Sequence, residues 1–250
     1  MSGDMTMSAQ AARRFQPSFY FWMVLVMFAF VFLGFGMHSL FPAMRGEFPP
    51  APPIVHLHAV IMGSWMVLLL AQTSLICTGN LKLHRSVGMY AIAHATALMF
   101  TGALIQMVGS KAGVDNGSLL ALEGVYLGGL AVLGFGSMFV LAMRNTKRPE
   151  VHRRMMLFAM LPVIVPGVNR FWFHALGLDD FLPLHFTYPT LWAMAVAILV
   201  HEWRKTGRIS GYSIYGTAWI VLQGVLHEPV NSSAWFMQFG SHLLSAVQYR

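Results

Sequence analysis

Phe19 to Phe41 reads FYFWMVLVMFAFVFLGFGMHSLF, 23 residues without one Asp, Glu, Lys or Arg. At 1.5 Å per residue a helix of this length covers the roughly 30 Å hydrocarbon core of a bilayer. Comparable apolar runs follow at about 56–78, 86–108, 118–143, 154–176, 184–203 and 213–234. Seven such runs predict an all-α, polytopic membrane bundle. The last run is interrupted by Pro229, and Trp235 to Val247 reads as an interfacial helix. The chain divides into a loose segment at 1–18, one membrane domain at 19–234 and a tail at 235–250.

The whole composition agrees. Only 10% of the 250 residues are charged and 56% are hydrophobic, with a mean hydropathy of +0.60. An ordinary soluble domain carries about 25% charged residues. Disorder, a disulfide scaffold and a coiled coil are excluded. Cys77 is the only cysteine, which excludes intrachain disulfides, Cys-based zinc and iron–sulfur ligation.

The basic residues set the orientation. With the N-terminus cytoplasmic, inside segments hold 12 of the 16 Lys plus Arg. The pI near 9.9 therefore reports topology and contact with anionic lipid, and no nucleic acid is expected as a partner. The first span is too long for a signal-peptide core and lacks a small-residue cleavage site, so it is read as uncleaved. The Pro-rich stretch Phe48-Pro49-Pro50-Ala51-Pro52-Pro53 is expected to be a stiff extended connector on the outer side.

Eleven His against nine acidic residues is unusual in so apolar a chain. Ionisable groups within spans are costly in lipid and are functional candidates by default. His94 lies near the predicted midplane of the third span, with Thr101 seven residues later on the same face. The outer half is richer: His38, His56, His58, Glu123, Asn169, Arg170, His174, His185, His227 and Glu228 all fall there. These groups should turn towards the bundle interior. His58, Met62, Trp65, Leu69 and Gln72 share one helical face. His56 points elsewhere, so His58 is the preferred partner in any site.

Two segments echo each other at the inner boundary. His84-Arg85 opens the third span and His152-Arg153 the fifth. They serve either as headgroup anchors or as a paired site for a phosphate, a haem propionate or a metal, which His201 could join. The runs His56-Leu57-His58-Ala59 with Trp65 and Gln72, Leu83-His84-Arg85-Ser86-Val87-Gly88, and Arg148-Pro149-Glu150-Val151-His152-Arg153-Arg154-Met155-Met156 resemble a widespread group of uncharacterised multi-pass bacterial inner-membrane proteins. Ser86 stands where that group's pattern has a second basic residue. The resemblance covers roughly the first six spans and implies a bacterial inner-membrane location and the same topology.

Three function classes fit. Imidazole and carboxylate bind iron or copper, and paired imidazoles suit haem b. His58, Glu123, His174, His185, His227 and Glu228 are the metal-ligand candidates. Arg170, Trp65, His94, His84 and His152 are the cofactor-binding candidates, Arg170 as a propionate partner. Such a centre would serve electron or proton transfer. The second class is an accessory or assembly subunit of a respiratory or photosynthetic complex. The third is a small-solute or proton-coupled transporter, for which Pro162, Pro166, Pro189 and Pro229 are expected to break helices beside buried charge. A retinal protein is excluded because the seventh span holds no Lys. No hydrolase signature lies in a span, and Asp179-Asp180 reads as a loop pair.

Overall fold

The computed structural model describes residues 15–117, 119–177 and 183–247. The expected loose N-terminal segment and the Asp179-Asp180 pair lie largely or wholly outside these residues. Every regular element among the described residues is helical. Six helices are long and apolar enough to cross a membrane: α1 (Phe19–Met44), α2 (Pro53–Cys77), α3 (Leu81–Asp115), α4 (Glu123–Arg144), α5 (Pro149–Leu176) and α6 (Pro183–Thr206). Three shorter ones follow: α7 (Gly211–Val225), α8 (His227–Asn231) and α9 (Ala234–Ser245).

Local chemistry explains the boundaries. Ser18 caps α1 by accepting from the Phe21 N–H at 3.3 Å, and Asn80 caps α3 by accepting from the Leu83 N–H at 3.2 Å. Pro52 has φ −55° and ψ 149°, so the Pro-rich connector is extended as expected. Gly177, at φ 60°, closes α5 in the left-handed conformation that glycine adopts without steric cost.

Proline behaves differently in different helices. α5 runs through Pro162 and Pro166, and α6 through Pro189, which corrects the expectation that these residues break their spans. α5 is walled by other helices, and neighbours that hold a segment in place let it tolerate interior prolines. Pro229 does interrupt. It offers no N–H to the Val225 carbonyl, and α7 ends there, with Leu226 at a turn before α8. α7 is therefore 15 residues long, about 22 Å. It falls short of the six spans, and the seventh predicted span is a short helix plus a broken extension.

The first five helices close into a ring in which α1 packs on α2, α2 on α3, α3 on α4, α4 on α5 and α5 back on α1. α6 and α7 pack outside α5. The sequence of α5 is apolar around most of its circumference, and the helix is buried accordingly, with Met155, Phe158, Met160, Leu161, Ile164 and Val168 sealed off. α1 and α5 touch backbone to backbone, since a methyl group on Gly34 would sit 2.1 Å from the Gly167 carbonyl oxygen. Small residues permit this approach. Outward-facing Trp22, Val60, Phe100, Leu133 and Val196 form an apolar exterior suited to lipid. α9 folds back over one end of the bundle, where Phe236 and Leu244 pack with Val125 and Tyr126.

The two ends differ chemically. Helix starts and stops at Cys77, Leu81, Arg144, Pro149, Thr206 and Gly211 gather at a basic end. His38, His58, Glu123, His174 and His227 belong to the opposite, histidine-rich end.

Candidate functional site: a histidine-bordered cavity inside the helix ring

The ring of helices encloses a cavity in its histidine-rich half. It holds about 70 Å³, room for a few water molecules. α2 contributes His58 and Met62, α3 Met99 and Gln106, and α4 and α5 apolar walls including Phe135 and Pro162. Trp65 lies behind the Phe135 wall: it is 1% exposed, and its ring meets Phe135 edge-on at 5.5 Å. Its indole N–H donates to the Met160 sulfur at 3.1 Å.

His58 is held in one tautomer. The Thr101 hydroxyl donates to the Ala97 carbonyl at 2.8 Å. Its oxygen is then an acceptor for the His58 Nδ1–H, at 3.1 Å. The proton on Nδ1 leaves Nε2 with a lone pair, and no intramolecular hydrogen bond engages that nitrogen among the described residues. Gly102 lies beside the ring, where a Cβ would make ordinary contact with His58 Cε1 at 3.6 Å. Fixing a histidine through its other nitrogen is how proteins orient a ligating imidazole. His56 is exposed, as the helical spacing predicts, and Trp65 and Gln72 are buried on the His58 face.

The remaining candidates separate into smaller groups. His94 faces α2 together with Thr101, but it donates from Nε2 to the Ile61 carbonyl at 2.9 Å. It ties α3 to α2 and does not line the cavity. His38 Nδ1 and His174 Nε2 stand 3.1 Å apart. His227 Nε2 lies 3.4 Å from Glu123 Oε2. That pair adjoins Tyr126, whose hydroxyl donates to the Gln223 carbonyl at 3.0 Å. Arg170 donates to the Pro166 carbonyl at 3.1 Å and lies over the Phe35 ring, 4.8 Å from its centroid. His185 and Glu228 are exposed and do not turn inward as the cost of burying them in lipid suggested. Both sit within the first few residues of their helices. No three His, Cys, Asp or Glu side chains among the described residues converge on a metal-sized point.

At the basic end, Gln72 links α2 to α3, its amide nitrogen donating to His84 Nδ1 at 2.5 Å and its oxygen accepting from the Gly88 N–H at 2.9 Å. His152 Nδ1 donates to the Ala142 carbonyl at 2.9 Å, near the end of α4. The echoed histidines are thus interhelical ties. His201 stands apart from them, stacked on Phe19 with centroids 4.0 Å apart.

One charged pair escaped the sequence reading. Arg154 and Glu202 meet at 3.0 Å, with side chains 5% and 3% exposed. Glu202 also accepts from the Ser210 N–H at 3.2 Å. Glu150 joins through Arg153 and, at 3.8 Å, Arg154, and the Arg153 guanidinium lies 4.4 Å above the Tyr20 ring. A carboxylate ending an apolar run in a chain with nine acidic residues was the available signal. Its partner lies 48 positions away, a separation no helical period encodes.

The chain matches no family model, no curated protein and no solved structure.

Proposed function

We propose that this chain is a bacterial inner-membrane protein, N-terminus cytoplasmic, in which α7 makes a shortened seventh crossing, and that its histidine-rich half binds haem b or a transition metal for electron or proton transfer. The observation that carries this reading is the fixed tautomer of His58, which offers Nε2 as a lone-pair donor at the border of a largely apolar cavity. The cavity as it stands has room for a few water molecules, so a group the size of haem requires the helices around it to part. Neutral imidazole is the usual haem ligand, and Met99 on the neighbouring helix is a thioether of the type that completes His/Met ligation. The positive-inside asymmetry supports the orientation, with the cavity in the outer leaflet.

The test is a visible spectrum and a haem assay on full-length protein purified from iron-replete cells. The expected result is a Soret band in the wild type that His58→Ala loses, with reduced haem occupancy in Thr101→Val. A colourless, haem-free wild type would overturn the proposal, as would an unaltered spectrum in a folded His58→Ala protein.

A further inference from the structure

We infer that His38 and His174 form a separate two-imidazole site for a divalent transition-metal ion of the zinc or copper class. His38 Nδ1 and His174 Nε2 are 3.1 Å apart, with ring planes tilted by 52°. Two nitrogens bound at 2.0–2.1 Å to a tetrahedral ion stand about 3.3 Å apart. The pair therefore has nearly the spacing of two ligands on one metal before any metal arrives. Imidazole suits zinc, copper and nickel without help from thiolate.

The fold builds this approach from three features. Pro42 has no N–H for the His38 carbonyl. The helix answers with a π-type turn over Gly36–Leu40, closed by the Phe41 N–H on the Gly36 carbonyl. Such turns reset the direction of side chains within a helix and recur at functional sites. Four residues earlier, the Gly34–Gly167 contact draws α1 against α5. His174 occupies the last turn of α5, just before Gly177 ends it.

Both histidines are half-buried, so solvent and solute metal reach the pair. On the same helix Arg170, one turn before His174, donates to the Pro166 carbonyl and lies over the Phe35 ring. A site with two histidine ligands binds modestly and exchanges its metal. That behaviour suits a regulatory or acquisition site at the membrane surface better than a permanent structural one.

The test titrates Zn(II), then Cu(II), into untagged, chelator-treated full-length protein. The expected result is one equivalent bound, at least tenfold more weakly in His38→Ala and in His174→Ala, and unchanged in His185→Ala. With Cu(II), electron paramagnetic resonance should show two coordinated nitrogens, falling to one in a folded single variant. No saturable binding, or binding that survives both substitutions, would overturn the inference and leave the contact as a hydrogen bond between neutral rings. The His58→Ala protein separates this site from the cavity, because it should lose haem and keep this metal.

Discussion

Gly34→Ala puts a number on the α1–α5 crossing and reports on the histidine pair above it. The added methyl carbon would stand 2.1 Å from the Gly167 carbonyl oxygen, 3.0 Å from the Phe171 nitrogen and 3.1 Å from the Gly167 carbonyl carbon. All three neighbours are backbone atoms, so no side chain can rotate away. Ordinary contact with a methyl group needs about 3.4 Å or more, which forces the helices apart by about 1 Å. Overpacking of this kind costs about 1–3 kcal/mol, and a purely backbone clash belongs near the upper end. At about 2–4 °C per kcal/mol for a chain of this size, the melting temperature should fall by about 5–10 °C. A displacement of that size also exceeds what the 3.1 Å His38–His174 contact can absorb, so metal affinity should fall along with stability. Gly63→Ala is the control, because a methyl there meets nothing within 4 Å. It should melt with the wild type or slightly above it. Thermal unfolding followed by tryptophan fluorescence in detergent reads both variants. A Gly34→Ala protein as stable as the wild type would refute the claim that these backbones are in contact.

Two further substitutions probe the remaining packing. Glu202→Gln leaves Arg154, 5% exposed, with only the more distant Glu150 carboxylate at 3.8 Å, which should cost up to about 3–5 kcal/mol. Replacing both by apolar residues, Arg154→Met with Glu202→Leu, should recover most of that loss in the same unfolding assay, and a double variant as unstable as the single one would show that the pair is more than an electrostatic couple. Trp65→Ala should cost about 3–5 kcal/mol by leaving a void in the core against Phe135 and stripping the Met160 sulfur of its donor. Trp65→Phe should cost markedly less, since it keeps the ring contact with Phe135.

Much of the helical layout was legible in the chain. The runs at 19–41, 56–78, 154–176 and 184–203 lie within helices matching them to a few residues, apart from α5, which begins earlier at Pro149. The third run, at 86–108, grew to Leu81–Asp115 because a hydropathy window sees only the segment that lipid favours, while helical hydrogen bonding continues into polar flanks. The choice of His58 over His56, and the burial of Trp65 and Gln72, followed from helical spacing alone. His185 and Glu228 were misplaced because a one-dimensional reading measures depth along a helix and says nothing of direction around it. Glu202 was missed because its partner lies on another helix.

Composition and periodicity by themselves determined the all-helical membrane class, the position of most spans and the separation of basic from histidine-rich ends. These properties are sums of local transfer and hydrogen-bonding energies, which each segment carries wherever it sits. Which polar groups meet was decided only by the tertiary structure. The Gly34–Gly167 contact, the π-type turn before Pro42 and the closure of α1–α5 into a ring set the rotations of the helices. Those rotations place His58 at a cavity, pair His38 with His174 and leave His185 outside. A rotation about a helix axis barely changes the apolar area that a lipid-facing helix presents, so hydropathy cannot fix it, and the close contacts between helices do.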